Sequence, residues 1–170
     1  MKNFVTFSVI ALLTACSTTS GLDATVSHSG FDNAKVVNID PHSGACRMVV
    51  CTGLGAQWNG KRPNETILVV QIFNEIQGIT SAKLNIDGEI HTLTIKESFT
   101  EFSRPGSMVK SSSKGFLTSL ELIRKIVNSK RTWLRVGTNS GSFEDAIIDG
   151  QTDSKAFHAL KRFLTEVDKK

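Results

Sequence analysis

Ser-Ala-Lys-Leu-Asn-Ile-Asp-Gly-Glu-Ile-His-Thr-Leu-Thr-Ile, residues 81–95, decides the fold class of this chain. Asp87-Gly88 sits between two runs that alternate apolar and polar residues. Asp-Gly supplies the positive φ angles a two-residue hairpin turn requires, so the stretch is predicted to be a β-hairpin. Leu84 and Ile86 mark the inward side of one arm; Ile90, His91, Leu93 and Ile95 occupy the other. A hairpin with one apolar side needs something to cover that side, and the sequence has to provide it elsewhere.

Upstream, Thr66–Phe73 (TILVVQIF) is rich in β-branched residues and is predicted to be a central strand, buried on both faces near its start. Val36–Ile39 is predicted as a short strand ended by a turn over Asp40–Gly44. Met48–Val50 and Ala56–Trp58 read as short strands with an irregular connection around Gly53 and Gly55, followed by a loop over Asn59–Asn64. Downstream, Phe99 and Phe102 are expected in an edge piece, Arg104-Pro105-Gly106 in a turn, and Met108–Ser111 in another short strand. The period then changes. Phe116, Leu120, Ile123 and Val127 are spaced for one face of a helix of about 13 residues, widened by Leu117 and Ile126, with Ser112 or Ser113 as its cap. Thr132–Val136 and Phe143–Asp149 form a second predicted hairpin around Asn139-Ser140-Gly141, closed by Asp149-Gly150. Ala156, Leu160, Phe163, Leu164 and Val167 define a final helix starting near Asp153. Many strands joined by short turns, with two amphipathic helices, imply an α+β fold: a two-layer sandwich in which a mainly antiparallel sheet is covered by two helices.

The chain has 170 residues, with 39% hydrophobic and 21% charged, which suits one globular domain and excludes disorder over the whole length. Net charge is +4, too small a surplus to imply a nucleic-acid partner. The positive charge concentrates at Arg124, Lys125, Lys130 and Arg131 and at Lys161, Arg162, Lys169 and Lys170, read as two solvated helix faces. There is no Tyr and there are only two Trp, which argues against a sugar-binding surface.

The first residues read differently from the rest. Lys2 gives a short positive start, and Phe4–Leu13 is a ten-residue apolar stretch, too short to cross a bilayer but suited to a signal peptide. Leu13-Thr14-Ala15-Cys16 follows. This segment resembles the lipobox of bacterial lipoproteins. The resemblance implies that residues 1–15 are a signal peptide and that Cys16 carries lipid. It also implies that Ser17, in place of a retaining Asp, directs the protein to the outer membrane of a two-membrane cell. Residues 16–24 would then be a lipidated cysteine and flexible tether, and 25–170 a single α+β domain in the periplasm or at the cell surface. Membrane contact through the lipid on Cys16 is the first expected partnership.

Cys46 and Cys51 remain as an even pair in an oxidising compartment, expected as a disulfide that pins a local bend. Two alternatives use the same residues: a metal site of Asp40, His42, Cys46 and Cys51, and a redox dithiol, which lacks Cys-x-x-Cys spacing. The spacing also resembles the Cys-x4-Cys loop of inhibitors of vertebrate lysozyme. Here the loop is Arg47-Met48-Val49-Val50, without the family's His, so that function is not carried over.

No catalytic constellation emerges. Ser111-Ser112-Ser113-Lys114 contains Ser-x-x-Lys, but the accompanying motifs of penicillin-binding enzymes are missing. Gly137–Gly141 is a turn, not a nucleophile elbow. His28, His42, His91 and His158 are scattered. Asp87, Asp149 and Asp153 lie at turns or caps, and Glu144 and Asp145, adjacent on a strand, point to opposite faces. The sequence therefore gives no reason to expect a cofactor, a metal or a catalytic residue. The leading expectation is a non-enzymatic envelope lipoprotein that binds another protein as an accessory, an inhibitor or a surface antigen. The alternatives are a small-ligand or lipid-binding domain, with Phe116, Phe143, Phe157 and Phe163 lining a groove, and a small enzyme acting on envelope polymers.

Overall fold

A computed structural model describes residues 23–95, 100–103 and 109–169. The expected signal peptide (residues 1–15), Cys16 and Ser17 lie outside these residues, as do Phe99, the expected turn at Arg104–Gly106 and Met108. The chain is an α+β protein built mostly of antiparallel strands with two helices. The strands divide between two sheets.

In the first sheet, β1 (Thr25–His28), β2 (Lys35–Ser43), β3 (Cys51–Asn59) and β4 (Glu65–Phe73) follow one another as a meander. β9 (Ser111–Ser119) then pairs with β4, and β7 (Thr94–Ile95) and β8 (Glu101–Phe102) pair with β9. The second sheet has the order β12 (Thr152–Asp153), β11 (Gly141–Asp149), β10 (Arg131–Thr138), β5 (Ile79–Ile86) and β6 (Glu89–Thr92). The chain changes sheets at buried Leu93, which separates β6 from β7. Among the described residues, one isolated bridge pairs Ala45, just beyond the end of β2, with Ala146 of β11.

The hairpin around Asp87-Gly88 forms, but its second arm ends at Thr92 rather than Ile95: Thr94 and Ile95 leave it to pair with β9 in the first sheet. Ala82, Leu84 and Ile86 are buried, and Asp87 and Gly88 take φ angles of 49° and 96° in the turn. The Asp87 carboxylate also accepts hydrogen bonds from the backbone N–H groups of Lys130 and Arg131, so the turn secures the start of β10. β4 alternates rather than being buried on both faces. Thr66, Leu68, Val70 and Ile72 are buried, and Ile67, Val69, Gln71 and Phe73 are half-buried.

Four local expectations are corrected. First, Asp40–Ser43 is not a turn but the second half of β2. The register slips between Ile39 and His42, leaving Asp40 and Pro41 as a bulge, the place in a sheet where a residue without an N–H is tolerated. Second, Met48–Val50 is not a strand, and β3 runs unbroken through Gly53 and Gly55. A Cβ at Gly53 would overlap the His42 carbonyl, and one at Gly55 would come within 2.6 Å of the Ile39 oxygen. The glycines let the bulged strand press onto β3, and Cys51–Ala56 are buried as a result.

Third, the helix expected from Phe116 begins only at Leu120. Residues 111–119 are strand, paired with β4 along their whole length, and α1 spans Leu120–Asn128. Its cap is Ser119, whose side chain accepts the Leu122 N–H, rather than Ser112 or Ser113. Fourth, α2 (Lys155–Asp168) is capped by Ser154 instead of Asp153. Ser154 Oγ accepts from the Phe157 N–H and donates to the Ile147 carbonyl at 2.7 Å.

α2 packs against β2, β3, β11 and α1 through Ala156, Ala159, Leu160, Phe163, Leu164 and Val167. These join Leu54, Leu68, Val70, Leu84, Phe116, Ile123, Ile126 and Leu134 in one continuous core. A buried polar pair lies beside it. The Asp145 carboxylate accepts both the backbone N–H (2.7 Å) and the hydroxyl (2.9 Å) of Thr52, joining β11 to β3.

Candidate binding face

The second sheet has two unlike sides. On β10, Thr132, Leu134 and Val136 are buried, so Arg131, Trp133 and Arg135 project from the opposite side, as strand alternation demands. The same rule puts Lys83 and Asn85 of β5, and Glu144 of β11, on that outer side. Register places Lys83 and Glu144 on either side of Arg135, and Asn85 beside Trp133. Lys83, Asn85, Ile90, Arg131, Trp133, Arg135 and Glu144 line an open concavity of about 570 Å³.

Trp133 is its centre. The guanidinium of Arg131 lies 5.7 Å from the ring centroid and that of Arg47 5.8 Å, both within cation–π range. The indole N–H donates to Asp149 at 3.1 Å, and Arg131 also pairs with Asp149 at 3.2 Å. Arg135 bonds Glu144 at 2.5 Å. Lys83, directly opposite Arg135, makes no ion pair among the described residues, and like charges facing each other across a strand pair are unfavourable. The face therefore holds Arg47, Lys83, Arg131 and Arg135 against Glu144 and Asp149.

Arg47 reaches Trp133 from the Cys46–Cys51 loop. The two cysteines stand at disulfide distance, with Cα atoms 5.4 Å apart. The loop is held at one side by the Ala45–Ala146 bridge and at the other by the Asn74 side chain, which donates to the Val49 carbonyl at 2.7 Å. Met48 and Val49 at its tip are 79% and 80% exposed. With both sulfurs paired, the metal set has no thiolate left. His42 is buried with Nδ1 2.7 Å from the Asp40 carbonyl, and no cluster of three His, Cys, Asp or Glu side chains occurs among the described residues.

The remaining sequence candidates are dispersed. Ser111–Lys114 lies in β9, where residues three apart point to opposite faces, and Lys114 Nζ donates to the Ile79 carbonyl at 2.9 Å. His28 is exposed in β1. His91 lies 3.4 Å from Glu89, and His158 pairs with Asp153 at 2.8 Å. Glu144 and Asp145 do face opposite ways, one exposed and one buried. Phe116, Phe157 and Phe163 are core side chains, and half-buried Phe143 packs against the same core.

The cationic residues expected on two helix faces are also dispersed. Arg124 bonds Asp168, Lys125 bonds Glu89, Arg162 faces Asp23, and Arg131 belongs to β10. The face around Trp133 was therefore missed as a unit. Its signal was present in the alternation Arg131-x-Trp133-x-Arg135 and Lys83-x-Asn85, but Arg47 is brought in only by tertiary folding.

No family description, no curated protein and no solved structure matches this chain.

Proposed function

We propose that the chain is an envelope lipoprotein, anchored by lipid on Cys16 and acting without catalysis, that binds another protein through the outer face of its second sheet. The supporting observation is the unbalanced cationic row on that face. Lys83 stands opposite Arg135 without an acidic partner among the described residues, beside a tryptophan flanked by two arginines. Arg and Trp are the side chains that most often carry interface energy, and a partner surface bearing carboxylates would relieve the Lys83–Arg135 repulsion. Exposed Ile90, Met48 and Val49 add apolar contact at the rim.

In this reading the fold is a layered α+β sandwich. The helices and the first sheet close the inner side of β5 and β10, and the outer side is left for the partner. The tether places that face in the periplasm or at the surface of the outer membrane. Among the described residues no helix is long and apolar enough to cross a membrane; in this reading the lipid on Cys16 supplies the anchor.

The test is in-cell cross-linking of the lipidated protein, followed by purification and identification of adducts. A recurrent envelope protein whose contact peptide is acidic, joined to residues 83–90 or 131–144, is the expected result. Adducts confined to other surfaces would refute the assignment of the face. A purified protein whose mass lacks the acyl chains would refute the anchor.

A further inference from the structure

Phe31 is 99% exposed, an unusual position for a large aromatic side chain. It sits at the tip of the hairpin joining β1 to β2, and the hairpin turn is internally tied. The Ser29 N–H donates to the Ala34 carbonyl at 2.9 Å, and the Asn33 N–H donates to the Ser29 carbonyl at 2.8 Å. The Ser29 and Asp32 side chains accept from the Phe31 and Ala34 N–H groups. A turn held this way keeps Phe31 pointed outward, where it cannot collapse onto the sheet. Val26, on the same hairpin, is 43% exposed.

The hairpin is the first element after the tether. Asp23 lies beside Arg162, at 3.6 Å, and β1 then leads directly to the tip. At ~3.3 Å per residue, β1 and its turn put Phe31 roughly 20–25 Å from Asp23. Asp23 is seven residue steps from Cys16, and seven steps reach at most ~25 Å. A lipid on Cys16 can therefore enter a bilayer while Phe31 touches the same surface. The neighbouring loop between β3 and β4 contributes Lys61, 3.8 Å from Asp32, which offsets the one acidic charge beside Phe31. Arg62 follows it.

We infer that the β1–β2 hairpin tip is a second membrane contact, with Phe31 seated in the interfacial zone of the bilayer that holds the Cys16 lipid. The inference depends on the anchor proposed above. Its consequence is orientation. Phe31 and the Cys46–Cys51 loop lie beyond opposite ends of β2, so a membrane under the hairpin leaves Arg47, Met48 and Val49 pointing away from it.

The experiment uses the mature lipidated full chain in vesicles of phosphatidylethanolamine and phosphatidylglycerol, with and without acyl-chain bromine as a quencher. Phe31→Trp and Met48→Trp are compared, each against the background of Trp58 and Trp133. Both positions are exposed, so neither change threatens folding. The emission added at position 31 should be blue-shifted and largely lost with brominated lipid, whereas that added at position 48 should persist. Equal quenching at both positions, or quenching at 48 alone, would overturn the inference. So would a blue shift at 31 that bromine does not affect, which would mean a second copy or another protein covers the tip. The acyl mass of the same sample reads the anchor separately. If the chains are absent, quenching at 31 in excess vesicles still supports the contact, and its absence overturns it.

Discussion

β3 and β10 are both interior strands, yet one is closed on both sides and the other on one. β3 carries Gly53, Gly55 and Ala56, small enough for the bulged half of β2 to fold onto it, and its first six residues are buried. β10 alternates Thr132, Leu134 and Val136 inward with Arg131, Trp133 and Arg135 outward. The difference lies in side-chain size and charge at alternate positions, not in backbone pairing, which is antiparallel in both. A strand that has surrendered its side chains for close packing has nothing left to present to a partner. A strand that keeps Arg-Trp-Arg on one side supports the core with the other side only.

The largest effect should come from filling the gap over β3. Gly53→Val places side-chain atoms where the His42 carbonyl lies, and overpacking against backbone should cost about 3 kcal/mol or prevent folding. Chemical denaturation measures it; a stable Gly53→Val protein would show that the contact between β2 and β3 is loose. The second prediction splits β10 and its neighbour by side. Leu134→Ala should cost about 2–5 kcal/mol through the cavity it leaves. Lys83→Ala should stay within about 0.5 kcal/mol, as a surface change does. Similar losses for both would erase the distinction between inner and outer sides.

A third, small effect lies where the helices meet. The hydrogen bond from Arg124, with its charge, holds the Asp168 carboxyl below its ordinary value of 3.8, and Asp168 in turn raises that of Arg124. A lowered folded-state value means the stabilisation is complete above the unfolded value and is lost as pH falls through the folded one. Both partners are substantially solvent-exposed, so Asp168→Asn should cost under about 1 kcal/mol near neutral pH. The difference from the unchanged protein should close as the pH drops well below 4. A gap that persists in acid would place the effect in packing rather than charge.

The parts of the fold that were legible are those in which local pattern and tertiary role agree. The β10–β11 hairpin, the stripe of α2 and the turn at Asp87-Gly88 formed as read, although the second arm of that hairpin stops at Thr92 and Thr94–Ile95 cross to the other sheet. β9 was misread because its buried alternation is Ser112, Lys114, Phe116, in which two polar residues conceal a strand. Phe116 also happens to stand in helical spacing with Leu120 across the cap at Ser119. The bulge at Asp40-Pro41 looked like a turn because the two dipeptide signals are the same, and only pairing with β3 separates them. The division into two sheets was not legible, since hairpins are local while the partnership of β4 with β9 and of β5 with β10 is not. The candidate face was half legible. The outward residues of β10 can be read by counting in twos, but nothing local brings Arg47 to Trp133.

The most direct test of the central claim is to reverse charge on the open side of β5 and β10 together, with Lys83→Glu and Arg135→Glu in the lipidated protein, and repeat the in-cell cross-linking. The melting temperature should fall modestly, because a carboxylate at position 135 faces Glu144 and that at position 83, each such exposed cross-strand pair being worth about 0.2–1 kcal/mol, and the protein should remain folded. The recurrent acidic adduct should disappear, in line with the roughly 2 kcal/mol or more that interface hot spots carry. An undiminished adduct from a folded double variant would contradict the claim that this face is where the protein binds.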